Sequence, residues 1–368
     1  MNIVYDLRYA SDHFPGIGSH AWALARALAE RRRFGEIAFL WDPHAVNTRF
    51  PIASLLALPG VRGHEVAVPA LSLRTAHATG TWLERAGVDA FLSPFWLCPE
   101  GTRVPCVLTL HDVLPLLPAG GVPAPRRWAF RWAMRRAARA AAILTSSRFS
   151  REEILRRTPI PAERLHVVPL GVTPASTSQR RPARAPDPPF ALVVGTDRVH
   201  KGHDTLADVW RRFAGRPPMP LVSAGASSPA RRSLAELDGN GLGVTALGPV
   251  APEALEWLFA HASLVLVPSR YEGFGLPLLE AAQRGVAVLA SDIPALRETG
   301  EGVARFVPAG DVEAWAGAVR ELAADEGERR RMGVRGQQRG AEYDYDACAA
   351  RVETILDRVA RRAPAVTA

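Results

Sequence analysis

Cysteine is scarce in this 368-residue chain: Cys98, Cys106 and Cys348 are the three present, widely spaced and without a CxxC pair. That argues against a disulfide framework or a thiolate zinc site and fits a reducing, cytoplasmic compartment. Long apolar runs are missing too. No stretch reaches the roughly 18 residues that suggest a membrane span. The opening MNIVYDLRYA lacks the basic-then-apolar plan of a signal peptide and reads as a first strand. Zinc-finger spacings and an aromatic RNA-binding signature are also absent. The basic excess, a net charge of +8 and a pI near 10.2, therefore points away from nucleic acid. An anionic membrane surface or a phosphorylated small molecule is left as its partner. A composition merely rich in Arg, Ala and Pro explains the charge equally well.

What is present is a globular composition, 48% hydrophobic and 22% charged, on a length that suits two domains. Strand-like runs fall at 2–5, 37–41, 89–92, 104–110, 141–145 and 165–168, and again at 190–194, 220–224, 244–247, 264–267, 286–290 and 305–307. Helical patterns lie between them, at 17–33 and 125–139 in the first half and at 204–213, 252–261, 277–284 and 312–323 in the second. Strands alternating with helices imply parallel sheets covered on both faces. Residues 173–189, TPASTSQRRPARAPDPP, have no apolar period and read as a linker. The expected plan is an α/β chain with a first domain over 1–172, a second over 190–344 and a terminal helix in 345–368. Pattern alone leaves open whether that helix stays with the second domain or packs back on the first. Two doubly wound domains would face each other across a cleft at the carboxyl ends of their sheets, where ligands of open α/β sheets bind.

The most specific string is LVLVPSRYEGFGLPLLEAA at 264–282. It reads as strand, glycine loop and helix start, with Pro277 expected at the first helical position. Unpaired amides and the positive dipole end make such a start a seat for phosphate. Glu272 in the loop and Glu280, expected on the first turn, flank that seat. Carboxylates repel phosphate, so they suit the hydroxyls of a ribose or a sugar instead. Each residue alone has an ordinary structural explanation, since glutamate favours a helix start and glycine favours a turn. The string as a whole is more telling. It is not the dinucleotide fingerprint, because Leu278 stands where GxGxxG needs glycine, which counts against a nicotinamide dehydrogenase.

Glu272 and Glu280 have the spacing of the E-x7-E segment, and the string resembles that of retaining glycosyltransferases of the GT-B fold, in glycosyltransferase family 4 (glycosyl transferases group 1). The resemblance extends to FPGIGSHAWALARAL at 14–28, VLTLHDVLPL at 107–116, VVGTDRVHKG at 193–202 and SDIPALRETGEGVARFVPAGD at 291–311, and so to nearly the whole chain. It implies a GT-B fold of two Rossmann-like domains, the second binding a nucleotide-sugar donor. By the resemblance, Glu280 takes the ribose hydroxyls and Glu272 lies against the donor sugar and its leaving phosphate. The amides around Phe274, Gly275 and Leu276 meet the diphosphate or sugar. Lys201 matches the family's diphosphate lysine. An arginine usual close by is replaced by Thr196 and His200, with Arg198 as the substitute. His111 approaches the donor sugar or orients an acceptor hydroxyl, and Gly16 or Gly18 brings first-loop amides to the diphosphate.

The implied reaction moves a hexose from a nucleotide diphosphate to an acceptor hydroxyl with retention, without a required metal or other cofactor. The closest donors are GDP-mannose or related deoxysugars, with UDP-sugars open as the alternative. The acceptor would be a glycan or lipid-linked sugar in cell-surface polysaccharide or glycolipid assembly, or else a soluble small molecule. PRRWAFRWAMRR at 125–136 is a basic aromatic helix of the kind that lies on anionic membranes at the inner face of the cell. Packing its aromatics on the sheet is the plainer alternative. A non-catalytic sugar-nucleotide-binding protein is the remaining rival to an enzyme.

Overall fold

Runs such as NIVYD, EIAFLW and LVLV are too short for helices, and successive residues point to opposite faces. A strand of this kind is stable only when both faces are covered. In the computed structural model, which describes residues 1–66, 73–225 and 233–362, these strands form two parallel sheets, each in its own compact unit. The first unit comprises Met1–Leu116, Val122–Gly171 and the segment from Tyr345. The second comprises Leu117–Gly121 and Val172–Asp344.

The first unit holds β1 (Asn2–Asp6), β2 (Glu36–Trp41), β3 (Val61–Glu65), β4 (Ala90–Ser93), β5 (Cys106–Thr109), β6 (Ala142–Thr145) and β7 (Leu165–Val167). Their spatial order is 3-2-1-4-5-6-7, so the chain reverses direction across the sheet between β1 and β4. Ile3 and Tyr5 enter one core with Leu24, Leu28, Phe39 and Leu92, while Val4 enters the opposite core with Leu40, Phe91 and Leu108. The helix Tyr345–Arg362 belongs to this unit. Val352 and Leu356 are buried in the first core, and Asp346 and Glu353 pair with Arg31.

The second unit repeats the plan with β8 (Ala191–Val194), β9 (Leu221–Ala224), β10 (Val244–Gly248), β11 (Leu264–Val267), β12 (Val288–Ser291) and β13 (Ala304–Val307), in the order 10-9-8-11-12-13. Its reversal lies between β8 and β11. Trp210, Trp315, Leu206 and Val319 fill the core against Val193, Leu266 and Leu289. Residues 173–189 form no helix or strand, yet they are not a free tether. They run along the second unit, where Arg180 N–H donates to Glu253 O, Arg184 pairs with Asp238 and Ala185 is buried.

The structure adds elements beyond the sequence reading, among them the helices Leu73–Ala86, Arg148–Arg157 and Pro294–Gly300, and two of the additions are instructive. The edge strand β3 carries no strand signal, because VRGHE is mostly exposed and not apolar. The helix Glu326–Gly340 carries a weak helix signal, because its four glycines lower helix propensity. Those glycines have a purpose. A Cβ on Gly333 would stand 2.0 Å from the Gly285 carbonyl oxygen, and one on Gly340 would stand 2.7 Å from the Gln283 Cα. The bare helix face thus lies directly on the end of the helix Leu276–Gln283, which carries Glu280.

Candidate active site

The reversal point of the second sheet gathers the loops after β8 and β11. The turn after β8, Val199–Lys201, ends at Gly202 with φ +67°. A Cβ there would also meet the Pro268 carbonyl oxygen at 2.0 Å, so glycine alone lets the two loops touch. Arg270 fastens them. Its N–H donates to His200 O at 2.7 Å, and its guanidinium reaches Val199 O, both carboxylate oxygens of Asp204 and Thr205 Oγ1.

This clamp brings Lys201 and Glu272 together. Lys201 Nζ lies 2.6 Å from Glu272 Oε1, and Ser269 Oγ donates to the same oxygen at 2.7 Å. The Glu272 side chain is 10% exposed and that of Lys201 23%, so the pair is largely desolvated. Removing one member of such a pair strands the other charge. Oε1 is saturated, which leaves Oε2 and the remaining ammonium protons for a ligand. His200, beside Lys201, has its pKa lowered to about 4, first by burial and then by the ammonium, so it adds no charge near pH 7.

The helix after β11 starts at Leu276, one residue earlier than expected. Pro277 is therefore its second residue rather than its first, and Glu280 is its fifth, on the second turn rather than the first. The chain turns into the helix at Gly275 (φ +99°), where a Cβ would stand 2.5 Å from Leu296 Cδ2. Among the described residues the N–H groups of Phe274, Gly275 and Leu276 find no protein acceptor. The Phe274 ring is buried against Tyr343, and Thr299 Oγ1 donates to its carbonyl. Its contribution to a ligand is its backbone.

The other expected residues fall differently. Arg198 is exposed and makes no ion pair among the described residues. In the first unit, Gly16 and Gly18 both lie inside the first turn of the helix Pro15–Arg31, not in a loop before it. Gly18 N–H donates to Phe14 O, and a Cβ there would stand 2.9 Å from Tyr9 O, so this glycine serves packing. Gly16 faces open space. His111 follows β5, half-buried, with Nε2 3.1 Å from Pro94 O. A carbonyl only accepts, so Nε2 carries the proton and Nδ1 is left as an acceptor. Burial lowers the His111 pKa to about 4 and the imidazole is neutral. His20 lies edge-on, its centroid 5.4 Å away, with its pKa lowered to about 3 by burial and by His111.

Sequence reasoning missed Arg270 and Ser269, which build the charged pair without standing out in a motif. It also missed a compositional signal: Lys201 is the only lysine in the chain, against 44 arginines. In a chain that uses arginine everywhere else, the kept ammonium marks a place where a compact point charge is needed rather than a planar fork.

Comparison with known proteins supplies the family. The model of glycosyl transferases group 1 matches residues 175–339, and that of glycosyltransferase family 4 matches residues 15–176. The D-inositol 3-phosphate glycosyltransferase of Xylanimonas cellulosilytica is 28% identical over 381 residues, covering 93% of this chain and 90% of its own. The MMP alpha-(1->4)-mannosyltransferase of Mycolicibacterium hassiacum is 31% identical over 253 residues, covering 66% of this chain and 61% of its own. HepE of Anabaena, solved in complex with UDP and glucose, matches with a TM-score of 0.71 at 18% identity, over 97% of this chain and 100% of its own. At that identity the likeness is one of fold.

Proposed function

The chain belongs to glycosyltransferase family 4 and is a retaining glycosyltransferase of the GT-B fold, and from that premise we propose that it transfers mannose or a related hexose from a nucleotide diphosphate to a glycan or lipid-linked hydroxyl in cell-surface assembly. The observation that carries this reading is the Lys201–Glu272 pair beside the open amides of Phe274, Gly275 and Leu276. Cleaving the sugar–phosphate bond loads negative charge on the departing diphosphate. Fixed amide dipoles and a preplaced ammonium stabilise that charge more than they stabilise the ground state. Glu272 holds the ammonium through Oε1 and offers Oε2 to a donor-sugar hydroxyl, while Glu280 takes the ribose. The neutral Nδ1 of His111 accepts from a sugar or acceptor hydroxyl, and Gly16 gives a first-unit amide its approach to phosphate. Arg198 serves as a free cation for the same diphosphate. The departing phosphate takes the acceptor proton as the new bond forms on its own face. A trapped glycosyl–enzyme adduct, seen by mass spectrometry, would contradict that step.

The Mycolicibacterium relative, a mannosyltransferase, favours a mannosyl donor. The UDP bound to HepE favours the alternative, a UDP-sugar. Calorimetric titration of GDP and UDP followed by transfer assays with both sugar classes separates the two. Because Lys201 is the sole lysine, amine acetylation read by peptide mapping reports on the site directly. The true donor nucleotide should protect Lys201, and labelling unchanged by every nucleotide diphosphate would remove it from the site.

For the acceptor, support comes from the helix Ala124–Ala137. Phe130, Ala133, Met134 and Ala137 are buried, and Trp132 is half-buried under Arg136. Trp128 is 67% exposed, on a face shared with Arg127, Arg131 and Arg135. An exposed indole among guanidiniums suits an anionic bilayer surface, and with it a peripheral place at the cytoplasmic face. No helix among the described residues is long and apolar enough to cross a membrane. Flotation with phosphatidylglycerol vesicles should fall sharply in Trp128→Ala, and equal flotation with neutral vesicles would count against this surface.

A further inference from the structure

The first unit has a second concave site at the opposite end of its sheet from His111. It is a groove of about 930 Å³ where the chain enters β5, β6 and β7. That volume lies at the upper end of small-molecule sites. Its apolar floor is made by Cys98, Cys106, Ile355 and Val359. Its rim carries five guanidiniums, from Arg103, Arg136, Arg139, Arg164 and Arg358, against the two carboxylates of Glu100 and Glu163.

Elsewhere a half-buried or exposed guanidinium can be neutralised by a neighbouring carboxylate, as Arg284 is by Glu256 and Arg184 by Asp238. Here Arg136 takes Glu100, and Arg164 is pinned by the carbonyls of Ala138 and Ala140. Arg139 and Arg358 are exposed and make no ion pair among the described residues. His166 adds no charge, since burial, Arg358 and Arg151 lower its pKa. The rim therefore carries a net +3, held over a low-dielectric floor that focuses its field. Guanidinium forks match phosphate oxygens, and an apolar floor matches a flat organic group.

We propose that this groove binds an organic phosphate of nucleotide size, at a site apart from the donor residues and independent of the reading given for them. The phosphates lie between Arg139 and Arg358, and the organic part covers the Cys98 side of the floor.

Cys98 provides the test. It is the one cysteine of the three that is partly exposed, and it lines the groove. Contact with the Cys106 thiol and the nearby Arg136 hold its pKa below the ordinary thiol value, which speeds labelling. The rate of Cys98 reaction with a thiol reagent is measured on the full chain with ATP as probe, and Cys98→Ser confirms the source of the signal. At ten times its Kd, a bound probe should slow labelling by about tenfold, saturably. The protection should vanish in the Arg139→Ala/Arg358→Ala variant and persist in Lys201→Ala. The proposal is overturned if ATP gives no protection, or if KCl at equal ionic strength reproduces it. Loss of protection in Lys201→Ala would move the binding to the donor residues. Protection by phosphatidylglycerol vesicles alone would make the groove a lipid contact instead.

Discussion

The two sheets end in different electrostatics. After β8 and β11 in the second unit stand full charges with capacity to spare, with the Lys201 ammonium held by one oxygen of Glu272 and the amides ahead of Leu276 open. After β1 and β5 in the first unit, the buried Arg8 guanidinium is spent on its neighbours, meeting both carboxylate oxygens of Asp6 at 2.8 and 2.6 Å and Thr79 Oγ1 at 3.1 Å, with only Nη1 left unbonded among the described residues. Beside it His20 and His111 are neutral through burial, and the side chain of Asp112, next to His111, accepts from Leu114 N–H. An end rich in fixed charge suits a phosphate whose charge grows during reaction, whereas a neutral end suits hydroxyls that must be oriented without being ionised. One fold plan, used twice, thus offers two different chemistries.

The largest way to break this contrast is to remove the ammonium. Lys201→Ala should lower kcat/KM by about 10²–10³, measured with the cognate donor, while circular dichroism stays native. Lys201→Arg should recover little of it, because a planar fork does not replace a point charge against Glu272. Near-normal rates in Lys201→Ala would show that the charged end is ornamental, and near-normal rates in Lys201→Arg would show that any cation serves there.

Acid should sharpen the contrast next. A histidine whose folded pKa is depressed leaves stability intact above the unfolded value of 6.5. That stability drains away as pH falls toward the folded value, because only the unfolded chain takes the proton. For buried His20 the window runs from 6.5 to about 3, and for His200 from 6.5 to about 4. Each should cost about 2 kcal/mol by pH 5. The fall in Tm between pH 7.5 and 5 should shrink in His20→Gln, and an unchanged slope would mean that His20 is protonated in the folded chain.

A smaller effect tests how the charged end is held. Gly333→Ala would push a methyl into the Gly285 carbonyl oxygen and lift the helix Glu326–Gly340 off the helix that bears Glu280. The expected loss is roughly 1–3 kcal/mol, read as a lower Tm with weaker nucleotide binding. Gly317→Ala, in the middle of the helix Val312–Ala324 with nothing within 4 Å, is the control: it should raise stability by up to about 1 kcal/mol and leave nucleotide binding unchanged.

How much of this was legible depends on what a sequence can display. The strands of both sheets, the exposed edge strand β3 apart, were readable because apolar runs with turn residues between them admit little else. The helix Glu326–Gly340 was not, because its glycines count against a helix until the partner backbone they admit is known. At the candidate site, Glu272 and Glu280 stood out by their spacing and Lys201 by the resemblance. Their relations did not: that Lys201 and Glu272 share an ion pair, that Arg270 locks their loops and that Gly18 is spent on Tyr9 all depend on side chains distant in sequence. The helix start was misread by one residue because Leu276, like Pro277, is compatible with the first position, and that slip carried Glu280 onto the wrong turn. Lys201 had a clue in plain view, since no other lysine exists.

The finest test concerns the neutral end. If Nδ1 of His111 only accepts a hydrogen bond, its work requires an unprotonated ring, and the ring keeps that form down to about pH 4. The kcat of the native chain should then be flat from pH 8 to about 5.5, with no limb near 6.5 from this residue. His111→Gln, which keeps a polar side chain but loses the fixed ring seated on Pro94 O, should lower kcat by about tenfold, equally at every pH in that range, as expected for a lost orienting contact worth about 1.4 kcal/mol. A native profile that bends near 6.5 and straightens in His111→Gln would instead make the ring a proton acceptor with an ordinary pKa. The first unit would then contribute acid–base chemistry rather than orientation, and the contrast between the two sheet ends would lose its neutral side.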